Sequence, residues 1–253
     1  MSALELRASL ALASIFGLRL FGMFVILPVF ALYAQGLPGW NLTLVGVALG
    51  AYGLTQAILQ IPFGWASDRL GRKPVMVAGL LVFAAGSAVC ALAESPWLVI
   101  LGRTIQGAGA ISGVAIATAA DLTTPAQRTK SMAIIGSTIG LAFAFSFVVA
   151  PSLKAAIGVP GIFAFTGVLA LAAIVVVAFA VPPVPPTARS GDPVSIGRLL
   201  RNPELARLNV GIFALHAVLM ALFVVVPLAL VRSGLPFPSH SSCLLYTSPS
   251  PRD

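Results

Sequence analysis

GWASDRLGRK, residues 64–73, is a short charged segment that separates two long apolar runs. Gly71 suits a left-handed turn because glycine has no Cβ atom, and Gly64 allows a neighbouring helix to approach closely. A carboxylate at a membrane edge is costly unless a cation or a helix N-terminus faces it, so we expect Asp68 to have such a partner. The segment therefore predicts a tight, charged turn between two membrane-spanning helices.

The composition excludes a soluble enzyme. Of 253 residues, 58% are hydrophobic and 9% are charged, whereas soluble domains carry about 25% charged residues. The net charge of +8 comes from cations placed between apolar runs rather than on one basic face, so we expect a lipid bilayer and no nucleic acid as the partner. Cys90 and Cys243 have no spacing suited to a metal site or a disulfide framework.

Seven apolar runs are long enough to cross a bilayer, which takes about 20 helical residues. The chain is therefore predicted to be an all-α polytopic membrane protein. Most loop cations fall on one side if the runs alternate, while Lys154 and Arg232 fall on the other, so the positive-inside rule places the N-terminus in the cytoplasm. The predicted spans are Ala8–Tyr33, Leu44–Phe63, Pro74–Leu92, Trp97–Ala120, Ser131–Pro151, Gly161–Val181 and Leu208–Leu230.

A proline-rich segment divides the chain into two parts. PPVPP at 182–186 cannot continue a helix, so it predicts a six-helix bundle over 1–181, a cytoplasmic linker over 182–207 and a seventh helix over 208–232. The last residues, CLLYTSPSPRD at 243–253, resemble the translation of a sequencing adapter. We expect them to be an artefact, the alternative being a genuine Ser/Pro-rich tail.

A second motif, RTIQGAGA at Arg103–Ala110, lies in the fourth apolar run. An arginine inside a membrane costs about 2.5 to 3.5 kcal/mol on insertion scales, so Arg103 is expected to face protein or a wet cavity. The alternative is that its side chain extends to the outer interface. Asp121 ends the same run, and on residue type alone it could cap the following turn.

The two motifs resemble motifs A and B of the major facilitator superfamily. With Arg19–Met23 and the proline-rich loop, the chain resembles the YajR-like bacterial inner-membrane branch. The resemblance implies two six-helix halves around a central cavity, with this chain holding the N-terminal bundle, built of two three-helix repeats, and helix seven of twelve. It also implies a latch that includes Asp121 as charge partner and these motif A residues: Gly64, Asp68, Arg69, Gly71, Arg72 and Lys73. Motif C of antiporters is altered at Ala150-Pro151, so antiport is implied less directly.

Few polar residues lie inside the predicted membrane segments. Those on the second span could join helices or contact a substrate, and the resemblance implies the second role. His216 is expected either to hydrogen-bond within its helix or to carry a proton. The candidate cavity and coupling residues are Arg19, Tyr52, Gln56, Arg103, Gln106 and His216.

The sequence contains no nucleotide-binding loop, catalytic triad or metal cluster, so we expect no enzyme activity, no cofactor and no metal. The resemblance implies a secondary transporter, monomeric at full length, in the bacterial inner membrane. Its expected function is proton-coupled efflux of small amphipathic compounds. The alternatives are a symporter or facilitator for a metabolite, and a receptor or scaffold without transport.

Overall fold

The computed structural model describes residues 1–35, 39–184 and 202–234, and these residues form helices without strands. The all-α prediction is therefore confirmed. Most of the predicted linker and the whole of 243–253 lie outside the described residues. The helices are α1 (Ala3–Gln35), α2 (Leu42–Leu70), α3 (Arg72–Ala91), α4 (Pro96–Ala108), α5 (Ser112–Asp121), α6 (Pro125–Phe179) and α7 (Pro203–Arg232).

Helix α6 contains the fifth and sixth predicted spans. A straight helix of its 55 residues would be about 80 Å long at about 1.5 Å per residue. Both of its ends nevertheless lie beside the start of α1: Ser131 Oγ is 2.8 Å from Ser9 Oγ, and Arg7 Nη2 donates to Phe179 O at 3.0 Å. The chain reverses at Gly158, whose φ of 67° favours glycine. The helical stretch is therefore two antiparallel crossings, as the sequence predicted.

The fourth predicted span, Trp97–Ala120, corresponds to one candidate membrane crossing over Pro96–Asp121, but its helix is interrupted. The structure divides it into α4 and α5, because the chain leaves the helical conformation over 109–111. Gly107 and Gly109 weaken the helix at this point, since glycine loses more conformational entropy than other residues when it becomes helical. The break lies halfway along the span and exposes the start of α5 inside the bundle.

The charged turn is also shorter than predicted. Helix α2 continues to Leu70 and α3 begins at Arg72, so Gly71 alone, with a φ of 94°, makes the turn. Gly71 therefore has the positive φ that a glycine permits, combined with an extended ψ of 154°. No atom of the described residues lies within 4 Å of a Cβ position at Gly64, so the described helices do not use the close approach that this glycine permits.

Helix α1 is the centre of the bundle. Its inward residues Leu12, Ile15 and Phe30 are almost fully buried, and Phe30 packs edge-on against Phe163 of α6. The outward faces carry exposed large apolar residues such as Leu141, which is the arrangement expected when lipid replaces water as the solvent. Helix α7 contacts α1 but is otherwise largely exposed.

Close packing of α4 against α2 gives a test of the fold. A Cβ atom at Gly107 would meet the backbone carbonyl of Tyr52, which cannot move without its helix. We expect Gly107→Ala to lower the free energy of unfolding of the purified chain by about 1–3 kcal/mol, as overpacking does. Gly50→Ala on α2 is the matched control, because no atom of the described residues lies within 4 Å of its Cβ position.

Circular dichroism during thermal unfolding in detergent measures both variants. The control should unfold at the wild-type temperature or slightly above it, since alanine favours a helix interior by about 0.5–1 kcal/mol over glycine. Equal midpoints for the two variants would contradict the close approach of α2 and α4.

Candidate functional site

Two carboxylates share one arginine where α2, α3 and α5 end or begin. Arg72 Nη1 lies 2.6 Å from Asp68 Oδ1, and Arg72 Nε lies 2.8 Å from Asp121 Oδ2. Arg72 Nη1 also donates to Ser67 Oγ at 2.6 Å. We call Asp68, Arg72 and Asp121 the ionic cluster. The structure thus brings Asp121 to Arg72 rather than to the turn that follows it, where Thr124 is the N-cap residue of α6.

Each charge in the ionic cluster lies at the unfavourable end of its own helix. Asp68 and Asp121 are in the last turns of α2 and α5, where the helix dipole is negative, and Arg72 is the first residue of α3, where it is positive. The helices gain nothing from these charges individually. The stabilisation therefore comes from contacts between helices, and it depends on keeping the three ends together.

The two ion pairs differ in burial. The Asp68 side chain is 42% exposed, against 11% for Arg72 and 18% for Asp121. Exposed pairs contribute about 0–1 kcal/mol, so the Asp68 contact is the weaker one. The Arg72–Asp121 contact is screened less by water and joins α3 to α5 across the bundle.

The other two motif A cations do not join the ionic cluster. The Arg69 guanidinium stacks over the Trp65 ring at 3.8 Å, on the exposed side of α2. Lys73 Nζ donates to Ala178 O at 3.3 Å, close to the end of α6. A cation at a helix C-terminus is favourable because it faces unpaired carbonyl groups. Arg69 and Lys73 therefore have separate structural contacts.

Arg19 lies in the middle of the bundle and is 2% exposed. Its Nη2 atom donates to Tyr52 Oη, Gln56 Oε1 and Gly109 O, each at 3.2 Å, and its Nη1 atom donates to Ser112 Oγ at 3.0 Å. All four acceptors are neutral. The Arg19 guanidinium is thus solvated by protein dipoles without a carboxylate.

Arg103 is also 2% exposed. Its Nη1 atom donates to Gln106 Oε1 at 2.9 Å, and its guanidinium lies 4.6 Å from the centre of the Tyr52 ring. The side chain therefore does not extend to the outer interface. Of the two surroundings expected for Arg103, protein or a wet cavity, the described residues provide protein, with Gln106 and Tyr52 beside the guanidinium.

Tyr52 connects the two arginines, since its hydroxyl accepts from Arg19 and its ring faces Arg103. The sequence-predicted residues of this group are Arg19, Tyr52, Gln56, Arg103 and Gln106, and we call them the arginine network. The structure brings all five together. Tyr52 and Gln106 are buried, whereas Gln56 is half-buried, so the network is closed on most sides.

His216 lies outside the arginine network. Its ring is exposed on α7, and its Nδ1 atom is 2.9 Å from Ile212 O in the same helix. The structure therefore shows the local hydrogen bond that was one of the two expectations for His216. It does not bring the ring into contact with the other candidate residues.

Sequence reasoning missed three contributors to the network. Ser112 binds Arg19, Ser87 accepts from Gln106 Nε2 at 2.8 Å, and Phe83 lies 5.2 Å from the Arg19 guanidinium. Ser112 lies two residues after the end of the glycine-rich motif, and this nearness to the motif was the one sign of its role in the sequence. Ser87 and Phe83 resemble ordinary packing residues in the sequence, so only the fold identifies them.

Comparison with known proteins identifies the family of the chain. Residues 12–249 match the profile of the Major Facilitator Superfamily. The chain is 43% identical over 247 residues to the inner membrane transport protein YajR of Escherichia coli (strain K12), covering 96% of this chain and 54% of that protein. The chain thus spans about half the length of this relative.

A shorter similarity and a solved structure extend the comparison. The multidrug resistance protein MdtH of Yersinia enterocolitica is 40% identical over 88 residues, which is 35% of this chain and 22% of that protein. The crystal structure of the POT family transporter PepTSo has a TM-score of 0.63 at 16% identity, covering 96% of this chain and 55% of the other. This last likeness concerns the fold alone.

Proposed function

Because the chain belongs to the Major Facilitator Superfamily, we propose that the full-length protein is a proton-coupled transporter that exports small amphipathic compounds by alternating access. The similarity to YajR supports a multi-pass protein of the bacterial inner membrane. The similarity to the multidrug resistance protein MdtH over part of the chain supports drug efflux. The loop cations support a cytoplasmic N-terminus.

The ionic cluster carries the proposal. Its two ion pairs hold together three helix ends that their own charges destabilise, so the contact favours one arrangement of the bundle over others. An interaction present in only one of two conformations shifts the equilibrium between them. The cluster therefore acts as a latch on the side of the membrane where the N-terminus lies.

The arginine network supplies the second part of the proposal. Its two buried cations lie near the middle of the bundle, where an ionisable group is costly and usually marks a substrate or ion pathway. In this mechanism Arg103 and Arg19 set the position of the substrate, while His216 on α7 is a candidate for carrying the proton. Lipid, the substrate and protons are the partners, and the full-length protein acts as a monomer.

Dye export from proteoliposomes tests the function. We expect the full-length protein to move an amphipathic dye against its gradient when a proton gradient is imposed, and an uncoupler to stop the movement. If the dye moved only down its own concentration gradient, at a rate that the uncoupler did not change, the protein would be a facilitator instead. Proton-driven movement of a metabolite in the same direction as the protons would indicate a symporter, and the absence of any flux would favour a receptor or scaffold.

A further inference from the structure

The break in the fourth span places a helix N-terminus inside the bundle. Helix α5 begins at Ser112, and its N-cap residue Ile111 makes no side-chain hydrogen bond. The first backbone hydrogen bond of this helix is donated by Ala115 N to Ile111 O. The first N–H groups of a helix have no partner within it and carry a partial positive charge. Such a terminus normally attracts an anion.

The side chain that meets this terminus is a cation. Arg19 donates to Ser112 Oγ and also to Gly109 O in the break itself. A guanidinium and the positive end of a helix dipole therefore lie side by side. The break also places the C-cap carbonyl of α4, Gly109 O, against Arg19, so the guanidinium faces the negative end of one helix and the positive end of the next, with no anion among its described partners.

No anion is available from the described parts of the chain. Their five acidic residues lie in terminal helical turns or in a loop, away from the middle of the bundle: Glu5, Asp68, Glu94, Asp121 and Glu204. Arg19 and Arg103 have no carboxylate among their partners, and the Nε atom of each is buried without a hydrogen-bond acceptor. Two buried cations thus lack both a counter-charge and one acceptor each.

The hydroxyl groups around Arg19 have hydrogens to donate. Tyr52 Oη and Ser112 Oγ each accept from Arg19, and neither hydroxyl donates to a described acceptor. A hydroxyl can accept and donate at once. Gln56 and Ser112 are half-buried while Arg19 is almost fully buried, so a ligand would enter beside these two residues.

We propose that Arg19, Tyr52, Gln56 and Ser112 bind the carboxylate of a small organic anion at the N-terminus of α5. The carboxylate accepts from the two hydroxyl groups and neutralises both the Arg19 guanidinium and the helix terminus. That this anion is a transported substrate rests on the proposed function, and it specifies the amphipathic compound as one with an acidic group. The binding site itself follows from the charges and donors.

Calorimetric titration of the purified full-length protein with benzoate tests the site. We expect benzoate to bind at least about tenfold more tightly than benzyl alcohol, which has the same ring without the charge. Ser112→Ala should weaken benzoate binding several-fold, because it removes one donor and leaves the helix intact. Arg19→Gln should abolish the preference for benzoate, while the control Arg69→Gln on the exposed side of α2 should keep it.

Equal affinity for benzoate and benzyl alcohol would overturn the site, as would wild-type benzoate binding by Ser112→Ala and Arg19→Gln. If a carboxylate of the protein itself occupied the site, benzoate would not bind there, and that outcome also overturns the proposal. Dye export measured on the same samples separates the two claims. Export without benzoate preference contradicts the anion site alone, and benzoate preference without export supports the site and contradicts the proposed function.

Discussion

Asp121→Asn is expected to lower proton-driven dye export by about tenfold, which corresponds to about 1.4 kcal/mol. Asparagine has nearly the same shape as aspartate but cannot form the ion pair with Arg72 Nε at 2.8 Å. This pair is more buried than a surface pair, which contributes about 1 kcal/mol at most. Losing it removes the contact that joins α3 to α5 in one conformation.

Asp68→Asn should have a smaller effect of about threefold, because an exposed pair contributes only about 0–1 kcal/mol. The matched control is Glu94→Gln, which removes an exposed carboxylate from the loop before α4. Initial export rates in proteoliposomes, with thermal midpoints to show that the variants fold, give the measurement. Wild-type export by Asp121→Asn, or an equal loss in Glu94→Gln, would remove the ionic cluster from the mechanism.

The spans could be predicted from sequence because a lipid environment requires long apolar helices, whatever their packing. The positive φ of Gly71 could also be predicted, because a one-residue turn between two helices favours a residue without a Cβ atom. The pairing of Asp121 with Arg72 needed more than local physics. The two residues are 49 positions apart, and only the resemblance to a known family indicated that they meet.

The break at 109–111 could not be predicted, because glycines in a membrane helix favour close packing as much as interruption. Gly107 packs against α2, whereas Gly109 both packs against α3 and lies at the break. The sequence does not show which of the closely packed glycines also interrupts the helix. The binding partners of Arg19 were hidden for the same reason, because Gly109 O becomes an acceptor only once α4 has ended.

Arg69 and Arg72 make different contacts because they lie on opposite sides of the turn between α2 and α3. Arg69 remains on the exposed side of α2 beside Trp65, while Arg72 follows the turn at Gly71 and points toward α5. The sequence motif alone does not distinguish the two cations. Their different positions follow from the turn at Gly71, after which Arg72 lies in the ionic cluster while Arg69 stays on the surface.

Arg103→Lys is expected to reduce export by about a hundredfold, the largest loss among the variants considered. The substitution keeps the charge but removes the planar group that both donates to Gln106 Oε1 and stacks on Tyr52. A buried cation–π contact contributes up to about 2 kcal/mol and a hydrogen bond from a charged group about 1.5–3 kcal/mol. Together the two contacts reach about 3.5–5 kcal/mol, which is more than the 2.8 kcal/mol or so that a hundredfold change requires.

Arg69→Lys is the matched control, because Arg69 also stacks on an aromatic ring, at 3.8 Å from Trp65, but on the exposed side of α2. It should retain most of the export, since an exposed stack contributes about 0.5–1 kcal/mol. Tyr52→Phe separates the two arginines: it keeps the ring beneath Arg103 and removes the hydroxyl that accepts from Arg19. Its loss should therefore be smaller than that of Arg103→Lys. Equal export by Arg103→Lys and Arg69→Lys would mean that the buried guanidinium needs only its charge, and the arginine network would then have no role in positioning the substrate.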